Sequence, residues 1–386
     1  MGVRDFLEIG SGRVLDRFIA TLFTAFQGKN RAIPRKAALA RDLRVEFRMA
    51  AIWRRTFLLL AIAGTLLSIR LAPRERPAST IRLSRPLMGT LWTIEVFDEA
   101  RPAAARAAID AAFAELARID LLMSEWKAES PISQVNAAAG RQPVAVPAEL
   151  RELIQRSIRY SEKTEGSFDI TWRGMGAIWK FDDHFTPPTA QAVEAARRNV
   201  NYRAIQIDGD RVFLPKAGMS IGLGGIAKGY AVDRAFDALI RAGFANVMVD
   251  GGGDVRVAGT RNGVPWRLGI QHPRRERGRI LGAVKPRNQA LATSGDYERF
   301  RIVDGVRYHH IIDVRNGWPA TAASSVSVLA DTAEQGVVIA KGIFILGPEK
   351  GLALARTEGV EALLVDPAGR RFWTEGFRNV VEKDEQ

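Results

Sequence analysis

Apolar and polar positions alternate from Leu91 to Phe97 (LWTIEVF), with β-branched residues among them, which predicts a strand half-buried on a sheet. From residue 101 to 123 the period changes: Ile109, Phe113, Leu116, Ile119 and Leu122 recur at helical spacing in an alanine-rich stretch, so a long amphipathic helix is expected. A second helix is predicted over residues 147–164, with Pro147 at its start, where a missing N–H is tolerated. AIQIDGDRVFLP reads as a hairpin turning at Gly209-Asp210. Beyond it come a helix over 226–242, a strand at 247–250, strand-like runs between 255 and 328, helices over 332–343 and after Pro348, and a final strand at 362–365. Strands cluster between helices without strict βαβ alternation, so the expected class is α+β with packed helices and mixed or antiparallel sheets.

Ahead of this body, Arg54-Arg55 directly precedes an apolar run over residues 57–69. A spanning helix needs roughly 20 apolar residues, and this run is shorter. Basic, apolar, then polar is the order of an export signal, and Arg-Arg-Thr-Phe-Leu resembles the twin-arginine signal that carries folded cargo to the periplasm or the outer face of the inner membrane. The expected organisation is a 1–48 extension upstream of a start at Met49, a 49–80 signal or short membrane anchor with its linker, and a body over 81–386. An apolar helix packed on the body is the alternative reading of the run.

Composition narrows the chemistry. With no cysteine, disulfides, thiolate metal sites and a cysteine nucleophile are excluded, and four histidines leave little for a multi-histidine metal site. The net charge of +13 suggests nucleic acid until it is located: the first 80 residues hold 15 Lys and Arg against 6 Asp and Glu, so the body is near neutral and no nucleic-acid partner is expected.

Glycine concentrates in GLGGIAKGY (222–230) and DGGGD (250–254). The first, read as following a short apolar strand at 219–221 and opening a helix, offers backbone amides and a positive helix end to a phosphate; a plain structural turn is the simpler reading. It loosely fits a dinucleotide fingerprint with Asp250 as ribose acceptor, but Lys228 precedes Gly229 and not Ser or Thr, so it is not a Walker loop. In YHHIIDVRNG (308–317), read as a strand over 308–313, His310 and Ile312 share one face and His309, Ile311 and Asp313 the other. A histidine of near-neutral pKa beside a carboxylate is a candidate proton acceptor; a surface strand with a chance histidine pair is the alternative. No G-x-S-x-G elbow supports a serine hydrolase.

Seven segments in order, MGTLWTIEV (88–96), MSEWKAESPISQVN (123–136), GSFDITWRGMGAIWKF (166–181), GGIAKGYAVD (224–233), VDGGGDVRVAG (249–259), ATSGDYERF (292–300) and HIIDVRNGWP (310–319), resemble the ApbE family of FAD:protein FMN transferases. The resemblance implies a single flavin-transferase domain that takes FAD as donor and, with Mg²⁺, attaches FMN through a phosphoester to a threonine or serine of an exported or membrane-bound client protein. Carried over by position, it implies that Met88, Trp126, Ser167, Phe168, Asp169, Lys228, Ser294, Gly295 and Ile311 line the flavin and its phosphates. It further implies that the Gly225 carbonyl serves the metal, and that His310, with Asp313, serves the reacting centre and accepts the client hydroxyl proton.

The chain departs from that family at informative places. Gly222 stands where the family has an aspartate, Val314 and Asn316 where it has proline and threonine, and Val337 and Lys341 where a helix carries its aspartate and threonine metal ligands. Residues i and i+4 share a helix face, so both replacements fall on one spot, where valine cannot ligate Mg²⁺ and an ammonium repels it. Lys341 then becomes a candidate catalytic cation. The competing readings are an FAD-binding relative of weak activity serving a redox complex, and a nicotinamide-dependent dehydrogenase read from the loose fingerprint.

Overall fold

In the computed structural model, which describes residues 80–98 and 100–383, the chain builds an eight-stranded sheet whose spatial order follows the sequence. Its strands are β1 (Thr80–Leu87), β2 (Thr90–Phe97), β3 (Val247–Gly251), β4 (Val255–Ala258), β5 (Ala290–Gly295), β6 (Ser325–Ala330), β7 (Glu361–Val365) and β8 (Arg371–Trp373). Every ladder between them is antiparallel. The expected α+β class is therefore found. A doubly wound dinucleotide fold needs a mostly parallel sheet, so the dehydrogenase reading fails on topology.

Alternation along the strands sorts two cores. Val247, Val249, Ala290, Ala292, Val326, Val328, Ala362 and Leu364 face the helices. Val257, Leu291, Leu329, Leu363 and Val365 face a small sheet of Leu268–Gln271, Ile280–Val284 and Val381–Lys383. The helices are α1 (Pro102–Met123), α2 (Pro131–Ala137), α3 (Ala148–Lys163), α4 (Ala190–Arg197), α5 (Ala227–Arg241), α6 (Ala333–Leu346) and α7 (Pro348–Thr357), with a short α8 (Glu375–Val380) near the end of the described residues. Of these, α1, α5 and α6 lie side by side, with α1 against α5 and α5 against α6. Gly229 sets the α5–α6 approach: a Cβ there would stand 2.5 Å from the Ala333 carbonyl and 2.7 Å from Val337 Cγ2. Asp233 fixes the register by accepting from the Ala333 and Glu334 N–H groups at 2.9 and 2.8 Å, which caps α6.

Three local expectations are corrected. Residues 219–221 form no strand, because the Asn136 side chain takes the Ile221 backbone, accepting from its N–H at 2.7 Å and donating to its carbonyl at 2.8 Å. The strand expected over 308–313 ends at His309; the His310 N–H turns to the Arg299 carbonyl, and pairing resumes at Ile312–Asp313. β7 is not the last strand, since β8 and Val381–Lys383 follow it. The leader and the 1–48 extension lie outside the described residues, among which no helix is long and apolar enough to cross a membrane.

Candidate active site

The loop of residues 222–226 enters α5 through a tight passage. Gly222 donates its N–H to Ile170 O at 2.8 Å and accepts from Trp172 Nε1 at 3.1 Å. A Cβ at Gly222 would lie 2.9 Å from that indole nitrogen and 3.1 Å from Arg173 Cβ. The indole thus takes the room that the family's aspartate would need. Gly222→Asp is expected to cost about 1–3 kcal/mol as overpacking, read as a lower urea midpoint at unchanged m-value.

Three residues on in the same loop, Gly225 is squeezed from both sides. A Cβ there would meet Phe168 Cε2 at 3.0 Å and the Cδ and Cε atoms of Lys341 at 3.7 Å. Lys228, in the first turn of α5, puts its Nζ 3.3 Å from Asp254 Oδ2. Asp254 is buried and closes the glycine turn between β3 and β4, where Gly252 and Gly253 hold φ of +76° and +97°. Asp250 accepts the Gly253 N–H at 2.8 Å, so its carboxylate shapes this turn.

Lys341 reaches the same place from α6. Its Nζ donates to the Val337 carbonyl at 3.1 Å, and Val337 is buried against α5. Burial, with the Lys228 charge adding to it and Asp254 opposing it, pulls the ammonium down to about 8.

The histidine pair separates into two roles. His309 is locked: its Nε2 lies 2.8 Å from Ala320 O, its Nδ1 accepts the Ile311 N–H at 3.3 Å, and its ring meets Phe344 edge-on. The Nδ1 of His310 is buried and finds no hydrogen-bond partner among the described residues. Burial first, then the His309, Lys341 and Arg299 charges, push His310 down to about 3, well below the near-neutral value expected from sequence. Nor is His310 coupled to Asp313, whose two oxygens accept from Arg315 Nε and Nη2 at 2.8 Å each. Asp313 organises the turn after the histidine.

Arg299 ties the first segment to this centre. Its carbonyl receives the His310 N–H, and its Nη2 lies 3.6 Å from the position of a Cβ on Gly89. Met88 and Gly89, with φ of +47° and +73°, make the tight β1–β2 turn, and Thr90 packs on Gly252. Met88, Phe168, Gly225, Lys228, His310 and Lys341 are thus connected through direct contacts and shared neighbours. Asp254 and Arg299 join them without having been singled out; both sat inside quoted motifs, and only the fold shows where they point.

The other expected residues stand differently. Ser167 donates its hydroxyl to Thr164 O at 2.7 Å, and Asp169 accepts from Thr171 N, Thr171 Oγ1 and Tyr202 N, so both polar groups are engaged within the chain. Burial raises the Asp169 carboxyl against those bonds. Trp126 is 74% exposed, with the Arg173 guanidinium 4.2 Å from its ring centroid. Ser294 is buried on the face of β5 that carries Ala292 toward α6, Gly295 is covered by the Tyr297 ring, and Ile311 is buried. Val314 is also buried, and Asn316 Oδ1 accepts the Trp318 N–H at 2.8 Å.

The donor set does not fit Mg²⁺. The Val337 side chain is apolar, its carbonyl already accepts the Lys341 ammonium, and among the described residues no group of three or more His, Asp or Glu converges as a metal site.

The sequence profile of the ApbE family matches residues 88–364. A FAD:protein FMN transferase of Vibrio cholerae is 31% identical over 333 residues, covering 84% of this chain and 99% of the relative. One of Treponema pallidum is 32% identical over 303 residues, covering 74% and 84%. The crystal structure of the ApbE protein from Thermotoga maritima superposes with a TM-score of 0.73 at 30% identity, covering 79% of this chain and all of that one. Sequence and fold agree across the whole described body: the chain belongs to the ApbE family.

Proposed function

We propose that this protein is a FAD:protein FMN transferase whose client is an exported or membrane-bound flavoprotein. The observation that carries the reading is the buried, unpartnered Nδ1 of His310, whose ring feels the Lys341 charge, while Lys341 itself lies along Gly225 of the glycine loop. In this reaction the hydroxyl oxygen of a client threonine or serine attacks the phosphorus of the FMN half of FAD. The anhydride bond breaks, AMP leaves, and His310 accepts the hydroxyl proton. Phosphoryl transfer asks a protein mainly to position groups and offset charge. Here Lys228 and Lys341 supply the charge, and the Gly225 passage and Phe168 bound the space. No step is routed through Mg²⁺.

The test is mass spectrometry of candidate clients, from cells with and without the gene and after incubation with protein and FAD, for covalent FMN on threonine or serine. A second reading, an FAD-binding relative of weak activity, is favoured by Val337 and Lys341; it predicts FAD binding and no covalent FMN. Export is proposed to depend on the arginine pair. Arg54→Lys with Arg55→Lys should leave the protein in the cytoplasm, because the guanidinium geometry is not reproduced by lysine; unchanged delivery in cell fractionation would point to an ordinary signal or an anchor.

A further inference from the structure

A pyrophosphate brought into a partly dry site needs its charge offset, and α6 presents a cation there already. Lys341 is held by three independent constraints. Its helix is capped by Asp233, which is in turn held by Arg256 Nη1 at 2.8 Å. The helix cannot slide away from α5, because Gly229 sits against Ala333 and Val337. At the outer side Arg156 grips Glu334 with two hydrogen bonds of 2.8 and 3.0 Å. Among the described residues the ammonium is bonded only to a carbonyl of its own helix, at 3.1 Å, and its stem lies along Gly225. Across the glycine loop, Lys228 shares Asp254 at a loose 3.3 Å.

We propose that Lys341 is the resident cation of this site: with Lys228 it holds the pyrophosphate of the dinucleotide directly, in place of a divalent metal. This rests on the reading that the protein binds FAD. Asp254, the carboxylate paired with Lys228, is set against two ammonium groups, so it does not neutralise both before a ligand arrives. An ammonium aimed at a phosphate oxygen forms a charge-assisted bond without first shedding metal-bound water. The same charges oppose entry of Mg²⁺, so its addition brings no gain in binding.

The experiment is FAD titration of the full chain, followed by flavin fluorescence and calorimetry, in EDTA and in millimolar Mg²⁺. Wild type is expected to bind equally in both, within about twofold. Lys341→Met, which keeps the apolar stem, should weaken binding in EDTA by about ten- to a hundredfold, the loss of one hydrogen bond to a charged group, and Lys341→Arg should recover most of it. Val337→Asp with Lys341→Thr should make binding depend on Mg²⁺. Circular dichroism melts establish that each variant is folded. Binding by wild type only in Mg²⁺, or unweakened binding by folded Lys341→Met, would overturn the proposal and leave the flavin reading standing. No FAD binding by wild type in either buffer would instead overturn the flavin reading beneath it.

Discussion

His310→Gln is expected to lower FMN transfer by about 10²–10⁴-fold, the usual contribution of a positioned general base, while FAD affinity stays within a few-fold. Glutamine keeps the volume and a polar end but cannot take a proton. In the free protein His310 is held at about 3, so it is neutral, and thus in the accepting form, at every pH above that value. The acid limb near pH 6.5 that an ordinary histidine would impose on kcat/KM should therefore be missing. Burial is the largest part of that depression; the pyrophosphate's negative charge would offset the lesser Lys341 and Arg299 contributions, so the basicity of the ring should rise when substrate arrives. Transfer by His310→Gln within fivefold of wild type would remove His310 from the reaction.

Gly229→Ala should be strongly destabilising, at about 3 kcal/mol or more. The new Cβ would press on the Ala333 carbonyl, which belongs to the backbone of α6 and has no rotamer to give. Relief requires α6 to move off α5, which also breaks the Asp233 cap and displaces Lys341. Both the urea midpoint and FAD affinity should fall together. Gly224→Ala is the control, since a Cβ there meets nothing within 4 Å and its midpoint should not move. Equal midpoints for the two variants would show that the α5–α6 approach is softer than described.

Much of this arrangement was legible in the chain, and the exceptions share a cause. α1, α3, α5 and α6 are predicted within a few residues; α1, α3 and α5 each bury an apolar stripe, while α6 is a longer apolar run buried on most of its surface. β1 is not legible in the sequence, since Arg85 takes an inward position of its alternation and Pro86 follows, although β2 pairs with it along its full length. The bend at His310 was hidden for the opposite reason: the residues alternate well enough for a strand, and the turn comes from Arg299 and Asp313, which only the fold brings to bear. Periodicity also cannot say which of two adjacent histidines is free. That is decided by the Ala320 carbonyl, 11 residues away, which fixes His309 and leaves His310 open. The i, i+4 spacing puts Val337 and Lys341 on one helix face with no tertiary knowledge; that Lys341 lies along Gly225, and Asp254 against Lys228, needed the fold.

The sheet's order carries a consequence for how the protein comes into being. β2 and β3 are neighbours in space, yet their ladder closes a loop of about 150 residues, an entropic toll of roughly 4 kcal/mol that must be met before the ladder returns anything. Met88 lies before that loop, Phe168 and Lys228 within it, and Asp254, His310 and Lys341 after it. No partly folded chain therefore brings these residues together. If they hold FAD as proposed, its binding should report completion of folding as a whole.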